Sequence, residues 1–256
     1  MTTLRVLWVG FVTHFKIVSR SPFAIGVGAT WPVVNATLAY FMYRAGGSPR
    51  TLLYASLGSA VAGVFSMIAI DATGAIQRQR FWGTLELLVA APVRFATVLL
   101  PMTIAMASTG IYCLATTLVW GRLAYGIPLP LAHPLAFVLA VPATLVSVGV
   151  LGFALCMVLV RFRAASHIGN SLEYPVWLLS GLLFPIAVLP GWSHPISWCL
   201  ATTWGMGALL HGSLGGAVWR DLAMCALLTT AYGAVGIAIV DRFLDAARRS
   251  ASLSLT

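Results

Sequence analysis

The sequence predicts an all-α polytopic membrane protein with six transmembrane helices, an N-terminal amphipathic interfacial helix, and a re-entrant outer hairpin between helices 5 and 6. Hydrophobic residues make up 60% of the 256 positions and charged residues only 8%, whereas soluble domains carry about 25% charged residues. The apolar runs reach the roughly 20 residues that a helix needs to cross the hydrocarbon core, and they lack the alternation typical of a membrane β-barrel. No polar segment is long enough to fold separately, so residues 1–256 are predicted to form one membrane domain.

Charge and cysteine usage argue against several classes of function. The net charge is +9, but the basic residues are scattered in short loops, where they set topology and meet anionic lipid, so nucleic acid is not an expected partner. His14 and Lys16 interrupt the first apolar run, which argues against a signal peptide. Neither a disulfide framework nor a metal site is indicated, because no CxxC pair occurs among Cys113, Cys156, Cys199 and Cys225.

Residues 1–21 are predicted to form an interfacial helix. Apolar residues from Leu4 to Val18 recur at helical spacing, while Arg5, Lys16 and Arg20 gather on the opposite side. Such a helix lies flat at the membrane surface, and its basic face favours the anionic cytoplasmic leaflet.

Six apolar runs are then predicted to span the membrane, at about residues 22–43, 52–70, 95–119, 135–160, 172–189 and 222–240. Asn35, inside the first, either bonds to a neighbouring helix or lies on a substrate path. The second contains Ser59 and Gly63, a small-residue pair that lets helices approach closely, and it ends at Asp71. The fifth contains two prolines and Ser180-Gly181, so it is expected to be kinked or broken.

Three polar segments separate these runs. Residues 76–93, IQRQRFWGTLELLVAAPV, form a charged, amphipathic interruption. Residues 161–173, with His167, Asn170 and Glu173, are either a second docking place for a cytosolic partner or a plain positive loop. Residues 190–219 are semi-polar and rich in tryptophan, which indicates a re-entrant hairpin or interfacial helices covered by protein.

The positions of the basic residues predict the topology. With the N-terminus in the cytoplasm and six spans, 11 basic residues lie inside and 4 outside, which accounts for all 15. A seventh full span at residues 200–218 would move the arginines of the C-terminal tail to the outside. Six spans with both termini in the cytoplasm are therefore expected.

Two stretches carry a family pattern. One is Gly83-Thr84-Leu85-Glu86-Leu87-Leu88 followed by Ala91-Pro92-Val93, and the other runs through Asn170, Pro175, Ser180-Gly181, Phe184-Pro185 and Leu189-Pro190-Gly191-Trp192. They resemble the cytosolic coupling segment, and the fifth span with its outer hairpin, of the membrane subunits of type-2 ABC exporters. This group includes drug, antibiotic, lipid-oligosaccharide and polysaccharide exporters. Together with the predicted layout, the likeness covers nearly the whole chain.

The resemblance implies a permease subunit that couples to a separate ABC ATPase and forms the translocation pathway with a second permease chain, as a homodimer or a related heterodimer. The residues assigned to ATPase coupling are Arg78, Arg80, Gly83, Thr84, Leu85, Glu86, Pro92, Arg163 and His167. Those assigned to the outer hairpin are Pro185, Pro190, Trp192, Trp198 and Trp204. The chain departs from the family at Gln77-Arg78-Gln79-Arg80, where members often have acidic residues, and near Thr203, where a common proline is absent.

ATP hydrolysis is not expected on this chain. Its only lysine, Lys16, follows Phe15 and not a glycine-rich phosphate loop, so ATP and Mg are expected on the partner and no cofactor on this chain. Physically, Gly83 frees the backbone of the coupling segment, Thr84 can cap a short helix, and Glu86 in its first turn complements the helix dipole. The plainer interpretation of residues 76–93 is an interfacial helix that only follows the second span.

Few charges inside the spans favour an apolar or amphipathic cargo, such as a drug, an antibiotic or a lipid, in an efflux or resistance role. The residues assigned to a candidate translocation path are Asn35, Ser59, Ser180 and Phe184. Tryptophans at the outer edge could stack on sugars, so a glycan or glycolipid cargo stays an alternative, although belt anchoring also explains them. From a different class, the alternatives are an intramembrane enzyme or a channel that needs no ATPase. The expected location is the bacterial cytoplasmic membrane.

Overall fold

The structure, a computed structural model, describes residues 3–20, 48–81, 95–159 and 165–250, together with positions 22, 25, 26, 30, 33, 34, 36–38, 40 and 41. Within these ranges some side chains lie outside the description, among them those of residues 69–81, 156–159, 165–170 and 240–250. The helices are α1 (Thr3–Arg20), α2 (Pro49–Phe81), α3 (Phe95–Tyr125), α4 (Pro134–Leu159), α5 (Ala165–Leu179), α6 (His194–Cys199), α7 (Ala201–Leu214) and α8 (Val218–Ser250), with 3₁₀ turns at Ile186–Val188 and Gly191–Ser193.

The predicted all-α membrane architecture is confirmed. No strand occurs in the described ranges, and four of their helices contain a segment long and apolar enough to cross a membrane: Arg50–Ile68, Leu100–Tyr125, Pro134–Leu155 and Val218–Ile239. Half of the positions in the predicted first span, 22–43, lie outside the described residues. The predicted fifth span corresponds to α5, which has 15 residues and is therefore about 22 Å long. The count of six spans stays a prediction.

Glycine contacts show where α2, α3 and α4 cross and in which direction α3 and α4 run relative to each other. A Cβ on Gly110 of α3 would lie 2.7 Å from side-chain carbons of both Val64 in α2 and Leu145 in α4. A Cβ on Gly149 of α4 would lie 2.9 Å from the Ala107 Cβ. Small residues at these crossings let the backbones approach closely. The pairings run in opposite order along α3 and α4, so these two helices are antiparallel.

A second layer is formed by α7 and α8 against α4. A Cβ on Gly205 or Gly212 of α7 would crowd Thr144 or Phe137 of α4 respectively, so α7 and α4 run antiparallel. The thiol of Cys225 in α8 lies 3.8 Å from the Ala143 carbonyl oxygen of α4. The backbone N–H groups of Ala132 and His133 donate to the last carbonyls of α7, which brings the α3–α4 loop beside the α7–α8 turn. We call this the hairpin end of the bundle, and the opposite end the coupling end.

The N-terminal helix was predicted correctly over 3–20, and it packs against α3. A Cβ on Gly10 would lie 3.1 Å from the Pro101 ring, near the start of α3 and so at the coupling end. Trp8 and Ile17 are exposed, as are Arg5, Lys16 and Arg20. The location of α1 at a membrane interface stays a prediction. The division of the chain into interfacial, coupling and hairpin segments also stays a prediction.

Several element boundaries differ from the sequence expectation. The second span was expected to end at Asp71, but α2 continues to Phe81, because the residues between are mostly good helix formers. Helix α3 continues beyond residue 119 to Tyr125, where Gly126 ends it with a φ of 64°. Pro134 opens α4, as its fixed φ favours a first helical position. Helix α8 starts at Val218 and continues into the predicted tail as far as Ser250.

Candidate functional site

The candidate site lies at the interface between α2 and α5. The Tyr54 hydroxyl of α2 donates a hydrogen bond to the Gly181 carbonyl, just after α5 ends. Further along α2, toward the coupling end, the Ser66 hydroxyl donates to the carboxylate of Glu173. Residue numbers rise from Tyr54 to Ser66 on α2 while those of their partners fall from Gly181 to Glu173, so the two helices run antiparallel. Gly58 lies between the two contacts, where a Cβ would overlap the Leu182 carbonyl.

The break that was predicted within the fifth span occurs at Ser180-Gly181. Gly181 has a φ of 70°, its N–H donates to Leu178 O at 3.2 Å, and the N–H of Leu182 donates to Trp177 O at 3.1 Å. These two bonds form a Schellman motif, in which a glycine in the left-handed region satisfies the last carbonyls of a helix. The sequence ends α5 here because glycine adopts this conformation without a Cβ penalty.

Glu173 is buried at this interface, with a relative exposure of 8%. The sequence placed Glu173 at the overlap of the polar segment 161–173 and the predicted fifth span, 172–189. The structure places its carboxylate against Ser66, inside the apolar segment Arg50–Ile68 of α2. Residues 165–173 of the polar segment are helical and form the first part of α5.

Two aromatic residues of α5 accompany this carboxylate. Trp177 follows Glu173 by one helical turn, is 7% exposed, and has an indole N–H without a hydrogen-bond partner in the described structure. Tyr174 is 63% exposed and meets Trp177 edge to face, with ring centroids 5.3 Å apart. The interface therefore combines a buried carboxylate, a buried indole and an exposed phenol within two turns of one helix.

The residues predicted to line a translocation path are divided by the structure. Ser59 is buried, and its hydroxyl donates to the Ser56 carbonyl of its own helix at 3.0 Å. Ser180 is also buried, its hydroxyl donating to the Val176 carbonyl. Phe184 is partly exposed, whereas Asn35 falls outside the described residues. Neither serine lies on an exposed surface of this chain, and the path assignment stays a prediction.

Most of the predicted coupling residues cannot be placed. Gly83, Thr84, Leu85, Glu86, Pro92 and Arg163 lie outside the described residues. Arg78 and Arg80 belong to the helical backbone of α2, and His167 to that of α5, with side chains outside the description. The predicted segment 76–93 therefore begins as a direct continuation of α2, at the coupling end.

The predicted outer hairpin folds into short helical elements. Pro185 and Pro190 each precede a 3₁₀ turn, and the second turn leads directly into α6. Helix α7 has 14 residues, about 21 Å, which is too short to cross a hydrocarbon core of about 30 Å. Most of its residues are buried, as expected for a re-entrant element covered by protein.

The tryptophans of the hairpin differ in their contacts. Trp192 and Trp198 are 72% and 56% exposed. The indole N–H of Trp204 donates to the Trp198 carbonyl at 2.8 Å. The Arg220 guanidinium carbon lies 5.7 Å from the centroid of the Trp204 ring, within cation–π range. Trp204 thus joins α6, α7 and α8. Trp192 and Trp198 are mostly exposed, and the Trp198 ring centroid lies 6.2 Å from that of His194.

Sequence reasoning missed a polar pair at the hairpin end. His211 Nδ1 and Asp221 Oδ2 lie 2.5 Å apart across the turn between α7 and α8, and Asp221 is 6% exposed. Gly215 and Gly216 shape this turn, with φ values of 89° and 149°. The available signal was an acidic residue at the start of an apolar run, ten positions after a histidine, with a glycine pair between the two. No group of three potential metal ligands occurs among the described side chains.

Comparison with known proteins gives one family. The sequence model of the family described as "ABC-2 type transporter" matches residues 5–214, which is most of the chain. A search of the curated proteins found no match. The matched range includes α1 through α7 and therefore both the α2–α5 interface and the predicted coupling segment. The chain accordingly belongs to the ABC-2 type transporter family and is the membrane permease subunit of an ABC transporter.

Proposed function

We propose that this chain is the permease subunit of an ATP-driven exporter that forms its translocation pathway as a dimer and is driven by a separate ATPase subunit at the coupling end. ATP and Mg bind to that partner, and this chain holds no cofactor of its own. The family match over residues 5–214 is the observation that carries the proposal. The cargo is a hydrophobic or amphipathic drug, antibiotic or lipid.

The length of α2 supports a coupling role for residues 76–93. Helix α2 has 33 residues and is about 50 Å long, which exceeds the hydrocarbon thickness of about 30 Å. It runs without a break from the hairpin end into the first residues of the predicted coupling segment. A displacement applied near Phe81 would therefore be transmitted along a rigid helix to Ser66, which contacts α5, and to Gly58 and Tyr54, which contact the turn that ends α5.

The packing supports an amphipathic cargo. Apart from the carboxylates of Glu173 and Asp221, the buried side chains of the described residues are aliphatic, aromatic, sulfur-containing or small hydroxyl groups. Such surroundings do not stabilise a hydrated ion, whereas an apolar molecule needs only van der Waals contact and exclusion of water. The proposed location is the bacterial cytoplasmic membrane, with α1, the coupling segment and both termini on the cytoplasmic side.

The test is ATP-dependent transport by the chain with its ATPase. Inside-out vesicles containing both subunits are expected to accumulate a fluorescent lipophilic drug or lipid probe when ATP is supplied. Glu86→Arg is expected to lower this transport about tenfold or more, because reversing a charge at a contact costs on the order of 2 kcal/mol or more. Arg122→Glu, an exposed charge reversal at the hairpin end, serves as the matched control and should leave transport intact.

Two results would count against the proposal. Full ATP-coupled transport and unchanged complex assembly in the Glu86→Arg variant would remove the coupling role of residues 76–93. Transport of the probe by the purified chain alone, without a nucleotide-consuming partner, would contradict the dependence on an ATPase and would favour a channel.

The exposed tryptophans favour a second candidate, export of a glycan or glycolipid by the same mechanism. Trp192 and Trp198 are mostly exposed on this chain, and exposed aromatic rings stack on sugar rings as well as on lipid. Replacing both by leucine keeps the apolar surface and removes the aromatic face. Loss of glycolipid-probe transport with unchanged drug-probe transport would support the second candidate, and equal effects would support membrane anchoring.

A further inference from the structure

Glu173 is the only acidic residue within the six predicted spans, since the other five are Asp71, Glu86, Asp221, Asp241 and Asp245. Asp71, Asp221 and Asp241 adjoin the ends of predicted spans, and Glu86 and Asp245 lie in polar segments beyond them. Glu173 is the second residue of the predicted fifth span, and in the structure it is buried against α2. Carboxylates within the apolar part of a membrane protein are costly, and they are found mainly where they serve a ligand, a proton or an ion path.

The partners of the Glu173 carboxylate do not neutralise it. Ser66 donates one hydrogen bond, and a carboxylate can accept about four. Among the described side chains, the only ion pair is that of His211 and Asp221, so none of the described cations pairs with Glu173. A buried carboxylate with one neutral donor retains capacity for a positively charged group.

The surroundings suit an organic cation better than a metal ion. Oxygen-rich sites with several carboxylates are typical for hard metal cations, and no group of three His, Cys, Asp or Glu side chains occurs among the described residues. The neighbours on α5 are instead Trp177 and Tyr174, whose rings are 5.3 Å apart and whose faces attract ammonium groups. Leu178, 40% exposed, extends the same surface with an aliphatic side chain.

The position along the bundle suits cargo uptake. The contact between Ser66 and Glu173 lies toward the coupling end of the apolar segment Arg50–Ile68. Under the proposed topology this is the level of the cytoplasmic leaflet. An amphipathic amine enters a membrane with its charge near the interface and its apolar part toward the interior. Its ammonium group would therefore arrive at the depth of Glu173.

From this juxtaposition we propose that Glu173, with Trp177 and Tyr174, forms a recognition site for amine-bearing amphipathic cargo. The carboxylate binds the ammonium group, and the aromatic rings contact the adjoining carbon atoms. Without cargo, the Ser66 hydroxyl holds the carboxylate at the α2–α5 interface. The inference rests on the proposed export function for its biological meaning, but binding to the site does not require the ATPase.

The test compares two probes that differ only in charge. Dansylcadaverine carries a free amine, and its N-acetyl derivative is neutral with the same fluorophore. Binding of each is measured by fluorescence to the full chain in nanodiscs of zwitterionic phosphatidylcholine, so that anionic lipid does not attract the amine. The unsubstituted chain is expected to bind the amine on the order of tenfold more tightly than the acetylated probe, as expected for a desolvated charge pair.

Substitutions at Glu173 and at Asp221 test whether the preference for the amine probe depends on the Glu173 carboxylate. Glu173→Gln should abolish it, and Glu173→Asp, which keeps the charge, should retain part of it. Asp221→Asn removes the same charge at the hairpin end and should leave the preference unchanged. No preference in the unsubstituted chain, or an unchanged preference in Glu173→Gln, would overturn the proposal.

A second measurement needs no substitution, so it decides the question even if Glu173→Gln fails to fold. Dicyclohexylcarbodiimide adds to a protonated carboxyl in a membrane and forms an N-acylurea, which mass spectrometry assigns to a residue. Labelling of Glu173 should be slowed by the amine and not by the acetylated probe. Equal effects of both probes on the labelling rate, or no effect of either, would contradict the site. Because the ATPase is absent from both measurements, failure of coupling and failure of this site are distinguishable.

Discussion

The Schellman turn that ends α5 predicts a measurable difference between two glycines with almost the same backbone conformation. Gly181 has a φ of 70° and Gly126 a φ of 64°. A Cβ on Gly181 would lie 2.8 Å from Cγ1 of Ile186, whereas a Cβ on Gly126 would meet nothing within 4 Å. Alanine at either position adopts the left-handed region at a cost of about 1–2 kcal/mol. At Gly181 alone, overpacking adds about 1–3 kcal/mol.

Gly126→Ala is therefore expected to lower the free energy of unfolding by about 1–2 kcal/mol, and Gly181→Ala by about 2–5 kcal/mol. Since a domain of this size loses about 2–4 °C in Tm per kcal/mol, the two variants should be separated by several degrees. The thiols of Cys113 and Cys225 are buried and would react with a fluorogenic maleimide on unfolding, after the exposed Cys199 has been blocked. Equal Tm values for the two variants would refute the account of α5 given above.

Two further predictions concern packing and the hairpin end. Gly110→Val should destabilise the protein by about 1–3 kcal/mol or more through overpacking at the α2–α3–α4 crossing, whereas Gly191→Ala, with open space around it, should be close to neutral in the same assay. His211→Ala should cost about 1–3 kcal/mol, because it leaves the buried carboxylate of Asp221 without its partner. A double-mutant cycle with Asp221→Asn should show a coupling energy of about 0.5–3 kcal/mol, and additive effects would contradict the pairing.

Local signals in the sequence predicted most of the helical framework. Length and hydropathy place helices at α2, α3, α4 and α8, because in a membrane the backbone has no solvent partner and an apolar run must be helical. A serine-glycine pair then predicted where a helix breaks, at Ser180-Gly181. These signals act within a few residues, so one sequence suffices to detect them.

Hydropathy failed where helix and membrane boundaries differ. Helix α5 begins at Ala165, although residues 165–171 are too polar to have been included in the predicted span. Helix α2 likewise continues beyond Asp71 to Phe81. Polar residues such as Gln and Arg are good helix formers, and hydropathy reports only which part of a helix avoids water.

The site itself depends on contacts that local patterns do not encode. Ser66 and Glu173 are separated by 107 positions, and nothing near either residue indicates the other as its partner. Glu173 stands at the start of an apolar run, where a boundary position beside water was the simpler interpretation. To recognise that Glu173 is buried and not beside water, one must know how α5 runs relative to α2. That relative direction follows from tertiary packing.

The contrast between α2 and α5 gives a physical reason for placing cargo recognition at their interface. Helix α2 is unbroken over about 50 Å, whereas α5 ends at Gly181, and the Ser180 carbonyl accepts a hydrogen bond from Thr203 of α7 at 3.2 Å. A displacement along α2 therefore changes its register against α5 while the end of α5 stays attached to the hairpin. We expect such a shift to separate Ser66 from Glu173, and so to alter the affinity of the carboxylate for a bound cation. The same movement would then couple the state of the ATPase to capture and release, and measuring amine binding in the complex with and without a non-hydrolysable nucleotide would test this link directly.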